Sequence, residues 1–142
     1  MGDLDDKWLE VFNALLVEAK KVAGLDDTNT FQGLDRAPIG DVMVLLGGAD
    51  ITPRGRDTGG TYYQMDFIFL VVVDESDLVA GLKETFDWAG LIWEEIKDDR
   101  TLGGIIENVE DPGYRPNGLS SLPGFERQHL VMTVQAFVWV DD

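Results

Sequence analysis

The stretch from Asp74 to Gly104 limits what this chain can fold into more than any other, because it reads as one amphipathic helix, a glycine stop and the start of a strand. Leu78, Leu82, Phe86, Ala89, Trp93 and Ile96 recur every three or four residues and so share a stripe, while Lys83, Glu84, Asp87, Glu94 and Glu95 fall mostly elsewhere. Such a stripe has to be covered by the rest of the chain. Asp74 and Ser76 are the expected N-caps, since their side-chain oxygens can accept the orphan N–H groups of the first turn, and Asp77 adds charge that the helix dipole favours there. At the far end, Asp99-Arg100-Thr101-Leu102-Gly103-Gly104 ends in two glycines able to take the positive φ of a helix stop. Ile105 to Val109 then reads as a brief strand.

Upstream, residues 3 to 24 predict a first helix with Leu4, Trp8, Val11, Phe12, Leu15, Ala19 and Val22 on one face. Asp3, Asp5 and Asp6 lie in its first turn, Lys20 and Lys21 in its last, and Gly24 stands as the residue after its end. Residues 25 to 38 hold turn formers without a period and read as a connection. Asp26, Thr28 and Thr30 have the odd-position spacing of a calcium loop, but the glycine and glutamate such a loop needs are missing, so no metal site is expected. Val42 to Leu46 and Thr61 to Val73 are apolar strands. Between them, Gly47 to Gly60 contains five glycines and a proline, which predicts an antiparallel hairpin with a long mobile tip. That tip carries Arg54 and Arg56, two of the six arginines in the chain. They fit either a positive pair that grips an acidic neighbour or a solvated loop.

Asp111 to Arg127 strings together Pro112-Gly113, Pro116-Asn117-Gly118 and Pro123-Gly124, a long connection for a compact domain. Tyr114, Arg115, Leu119, Leu122 and Phe125 are residue types suited to subunit contact, and a loop folded over its own core fits them equally. From Gln128 to Val140 the chain alternates cleanly: Leu130, Met132, Val134, Ala136, Val138 and Val140 lie on one face, His129, Val131, Thr133, Gln135, Phe137 and Trp139 on the other. This strand is expected to pair with Thr61 to Val73, with any overhang left as an unpaired edge. The sum is a single α+β domain over residues 1–142: a small antiparallel or mixed sheet covered by two amphipathic helices, in the order α-β-β-α-β-β.

Composition narrows the function. Twenty-seven acids against eleven bases give a formal net charge of −16, a field that repels phosphate backbones and anionic membrane surfaces. No run of eighteen apolar residues is present, and the acidic N-terminus has the wrong sign for a targeting peptide, so the chain is expected to be soluble and unprocessed. An aspartate-rich, lysine-poor surface suits a halophilic host, where screening shrinks to about 3 Å at 1 M salt; an acidic protein of ordinary salt fits too. Without cysteine there is no disulfide or thiolate chemistry, and with His129 as the lone histidine neither a usual zinc site nor a Ser-His-Asp triad can be assembled. No phosphate-cradling glycine loop is present either. The expectation is a non-enzymatic protein with no cofactor.

The element order, together with a second helix closing in Asp99-Arg100-Thr101-Leu102-Gly103-Gly104 before a strand, resembles the tail terminator (tail completion) and tail-to-head joining proteins of long-tailed viruses. The likeness covers nearly the whole chain in element order and is concentrated in those six residues and the preceding helix. It implies a virion subunit, assembled in the host cytoplasm, that forms a hexameric ring on the last ring of the tail tube. Such a ring halts tube polymerisation and presents a docking face to the head or neck, so its partners are copies of itself, the tail tube protein and a head-tail connector, with DNA only passing through the lumen. The residues that carry the resemblance, Asp99, Arg100, Leu102, Gly103 and Gly104, have a structural role in this reading, with Leu102 packing while the glycines redirect the chain. Another neck or minor tail component, or a module binding a small molecule between helix and sheet, are the competing readings.

Overall fold

The computed structural model describes residues 2–33, 40–75, 77–116 and 128–141. It is an α+β fold in which two helices lie on one face of a mixed six-stranded sheet. Helix α1 (Gly2–Lys20) buries Val11, Phe12, Leu15 and Ala19 at helical spacing. It ends four residues before the expected stop, because the following backbone bonds, Lys21 N–H to Glu18 O and Val22 N–H to Ala19 O, tighten to i−3 spacing. Gly24 does take a positive φ of 95°, but beyond these turns rather than against the helix end.

The segment expected to be a plain connection contains strand β1 (Thr30–Gln32), which runs parallel to Val44–Leu46. Three residues are too few for alternation to reveal them. A larger correction concerns the hairpin. Strands β2 (Val42–Asp57) and β3 (Gly60–Val73) pair almost throughout and are joined only by Thr58 and Gly59, so the glycine-rich stretch is strand and not a long tip. The ladder absorbs Pro53 and the glycines in two irregularities, between Gly48 and Ile51 and between Pro53 and Gly55. Gly48 is also required sterically: a Cβ there would stand 2.5 Å from the Trp8 ring, which stacks on Phe12 and Phe67 with centroids 5.0 and 5.7 Å away.

Helix α2 (Leu78–Lys97) lies where the periodicity places it, but its buried face is rotated. Gly81, Thr85, Ala89, Ile92 and Ile96 face the interior, so only Ala89 and Ile96 of the expected stripe belong to it. Leu78 and Phe86 are exposed, and Leu82 and Trp93 are half-buried. Small residues win the interior because the helix packs close to the sheet, where Gly81 abuts the Gln128 side chain. The N-cap is Asp77, whose carboxylate accepts from the Ala80 N–H at 2.8 Å; Asp74 instead donates its N–H to Asp41 O, and Ser76 lies outside the described residues.

Of the expected strand 105–109 only β4 (Asn108–Val109) pairs, and the expected loop after it contains a further strand, β5 (Gly113–Pro116). Leu119, Leu122 and Phe125 lie outside the described residues. Strand β6 (Gln128–Asp141) pairs antiparallel with β3 over its whole length, from Val73 opposite Gln128 to Gly60 opposite Asp141, as expected, and among the described residues it leaves no overhang. The sheet order is β1-β2-β3-β6-β4, with β5 also on β6, so two strands are added to the expected β-sheet order. The helix side of the sheet buries Phe67, Phe69, Met132, Val134 and Val138 in the main core; Met43, Leu45, Leu70, Val72 and Val131 form a second cluster on the other face. His129, opposite Val72, is also buried on that face.

Candidate assembly surfaces

The sheet has two lateral margins. On the outer side of β2, β1 covers only Val44–Leu46, so among the described residues the edge from Gly47 to Asp57 has no strand partner. On the outer side of β6, β5 covers Leu130–Thr133 and β4 covers Ala136 and Phe137, which leaves Val138 to Asp141 open in the same sense. The two open edges are level, because Arg56 lies opposite Thr61 and Thr61 opposite Val140.

Arg54 and Arg56 stand on the β2 edge. Arg54 Nε donates to Gln64 Oε1 at 2.9 Å, and Gln64 Nε2 donates on to Asp66 Oδ1 at 2.9 Å, a polar chain on the face away from the helices. Arg56 takes the register of Thr61 and so lies on the helix side. The pair therefore straddles the margin instead of capping a loop. Tyr114 and Arg115 also part company. Tyr114, opposite Met132, turns to the helices and meets Phe86 with ring centroids 5.9 Å apart; burial, then the charge of Asp111, pushes its phenol above the ordinary value. Arg115, opposite Val131, turns the other way and borders a cleft of about 440 Å³ with Asp50, Asp66, Ile68 and Thr133. The four residues expected to make contacts thus form no single patch.

Helix α2 ends at Lys97 with Asp98 as its C-cap in right-handed backbone, so the expected glycine stop stands beyond the helix end, as a built joint. Leu102, Gly103 and Gly104 have φ of 51°, 72° and 91°, three successive left-handed residues that swing Leu102 into the core. Arg100 spans the joint: Nη1 donates to Val109 O at 2.9 Å, Nη2 reaches Asp111 Oδ1 at 2.9 Å, and the guanidinium lies 5.1 Å from the centroid of the Trp93 ring. Asp99 accepts from the Leu102 N–H through its carbonyl and from Thr101 Oγ1 through its carboxylate. One arginine so fixes the end of α2 to β4 and to the approach to β5.

Around α1 the structure assembles two recesses that periodicity alone did not show. Leu4, Asp5, Trp8 and Ile51 line one on the β2 side; Asp3, Asp6, Lys7, Glu10, Trp139 and Asp141 line the other on the β6 side. The signal for the first was Gly48, the only residue type that leaves room for Trp8 on the strand. Among the described residues no group of three or more His, Cys, Asp or Glu side chains is arranged to hold a metal ion, and no helix is long and apolar enough to cross a membrane. The Asp26 carboxylate is engaged locally instead: it accepts from both the hydroxyl and the backbone N–H of Thr28, which holds its pKa below the usual carboxylate value.

In comparisons with known proteins, the chain matches no protein-family model and no curated protein sequence. Among solved structures, it is similar to a chain of a particle described as "Virion of native gene transfer agent (GTA) particle", at 13% identity and a TM-score of 0.47 over 92% of this chain and 96% of that one.

Proposed function

We propose that the chain is a non-enzymatic virion subunit of the tail-terminator kind. Six copies form a ring on the last ring of the tail tube, stop its polymerisation and offer a docking face to the head or neck, while DNA passes through the lumen without being held. The observation that carries this reading is the helix stop Asp99 to Gly104, on which the resemblance rests: an arginine-anchored joint that sets a rigid angle between α2 and the sheet. A subunit that works by standing beside copies of itself needs such fixed geometry, because in a ring each contact repeats and any angular error accumulates. An acidic lumen suits passage of DNA, since like charge prevents retention.

The test combines mass measurement in solution at high salt with negative-stain imaging of purified tail tubes mixed with the protein. Rings of about six copies seated on tube ends are expected. A stable monomer that leaves tube ends bare and growing counts against the terminator role, and a ring of another order that binds elsewhere on the particle points to a neck or minor tail component.

A further inference from the structure

The proposed ring leaves open which surfaces meet, and the two level margins of the sheet suggest an answer. The β2 margin is neutral in a strongly acidic molecule: from Gly47 to Asp57 its two arginines balance Asp50 and Asp57, within a chain of net charge −16. Its flank is mostly apolar, with Leu4, Trp8 and the 40% exposed Ile51 around one recess that Asp5 also lines. The β6 margin is its complement. There Asp3, Asp6, Glu10 and Asp141 surround a recess with Lys7 as the one base, and Trp139 lies half-buried at its side, its indole N–H donating to Asp141 Oδ1 at 2.8 Å.

We propose that, in the assembled ring, the β2 margin of one copy docks against the β6 margin of the next, with Arg54 and Arg56 meeting the carboxylates around Asp141. The inference rests on the ring reading above and names its contact. Charge selects the occupant: arginine forks fit carboxylates, and the β6 margin of a second copy is acidic at the same level of the sheet. The contact is heterologous, one face meeting a different face, as a ring demands. The two open edges sit level across β2, β3 and β6, which suits a ring, where the repeated contact must not step copies along the axis. Side chains make the contact and the backbone ladder does not extend through it, since Pro53 and the two bulges blunt the β2 edge against added strands.

The absence of cysteine gives a clean test. Two single variants of the full chain, Arg56→Cys and Asp141→Cys, are mixed under mild oxidation. A covalent dimer that forms chiefly in the mixture, and a ladder of higher species from the double variant, is the expected result; like-with-like dimers alone, or no product, overturn the proposal. As an independent measurement, Arg54→Glu with Arg56→Glu should raise the concentration needed for assembly at least tenfold, and adding Asp6→Lys with Asp141→Lys should restore it. Assembly unchanged by the reversal also overturns the contact. Capping of tail tubes is scored separately. Rings that cap tubes but do not cross-link refute the contact and leave the terminator reading intact, whereas cross-linked rings that ignore tube ends support the contact and refute that reading.

Discussion

Gly103 and Gly48 are both glycines for physical reasons, but for opposite ones. At Gly103 φ is +72° and nothing lies within 4 Å of where a Cβ would stand, so a side chain there meets no neighbour and strains only the backbone. Gly103→Val should destabilise the protein by about 1–3 kcal/mol, seen as a lower denaturant midpoint with an unchanged slope. A midpoint identical to that of the parent would mean that the joint adjusts freely. At Gly48 the obstacle is Trp8, and Gly48→Ala should displace the indole at about 1–3 kcal/mol, with altered near-ultraviolet dichroism of the aromatic cluster. Asp26 shows a third kind of dependence. Its pKa is depressed first by the Thr28 hydroxyl and then by the Thr28 N–H, so the turn is supported above the unfolded carboxyl pKa and loses that support as pH falls through the lower, folded value. In a carbon-detected titration Asp26 should titrate below the usual aspartate value, and Thr28→Val should move it part of the way back.

Helix α2 shows how far periodicity reaches and where it stops. Its existence and approximate span follow from the 3.6-residue pattern, local chemistry that the chain carries openly, whereas the capping residue is Asp77 instead of Asp74 or Ser76 and the helix ends at Lys97, before the paired glycines. Its orientation about its own axis does not follow from that pattern. Ranking residues by hydrophobicity selects the bulky Leu78, Leu82 and Phe86, but the sheet approaches so closely that Gly81, Thr85 and Ala89 take the interior. The prediction is therefore asymmetric: Ile92→Ala should cost about 2–5 kcal/mol, as for a core isoleucine, whereas Phe86→Ser should cost far less because the ring is 42% exposed and lies at the surface beside Tyr114. Equal losses at the two positions would put the helix back on its expected face. The same division holds for the strands. The alternation of β6 and its partnership with β3 were legible, since thirteen alternating residues leave little freedom. The 47–60 arm was not, because glycine and proline signal a loop locally, and only the pairing with β3 and the contact with Trp8 make that segment a strand. Of the candidate contact residues, their types were readable but not their faces, since Tyr114 and Arg115 are adjacent in sequence and point to opposite sides of the sheet.

The whole molecule carries more than two acids for every base. Lys20 with Asp27, Lys21 with Glu18 and Arg100 with Asp111 are ion pairs among the described residues, and with eleven bases for twenty-seven acids the carboxylates far outnumber the cations that could face them. Self-repulsion of this kind acts over the screening length, about 10 Å at 0.1 M salt and about 3 Å at 1 M, so its largest relief comes within that range. The proposed ring of six copies would concentrate roughly a hundred negative charges, and salt would relieve that repulsion while also weakening the arginine-to-carboxylate contacts proposed between copies. The two effects separate experimentally. The melting temperature of the subunit should rise with salt, most steeply below about 1 M, whereas assembly should pass through an optimum. Replacing Asp3, Asp98 and Glu110, three exposed acids in different parts of the fold, with their amides should raise the low-salt melting point and flatten its dependence on salt, because the repulsion is shared across the surface and held by no single pair. If instead the melting point ignores salt in both proteins, the acidity is a property of the surface without consequence for folding, and the halophilic reading falls with it.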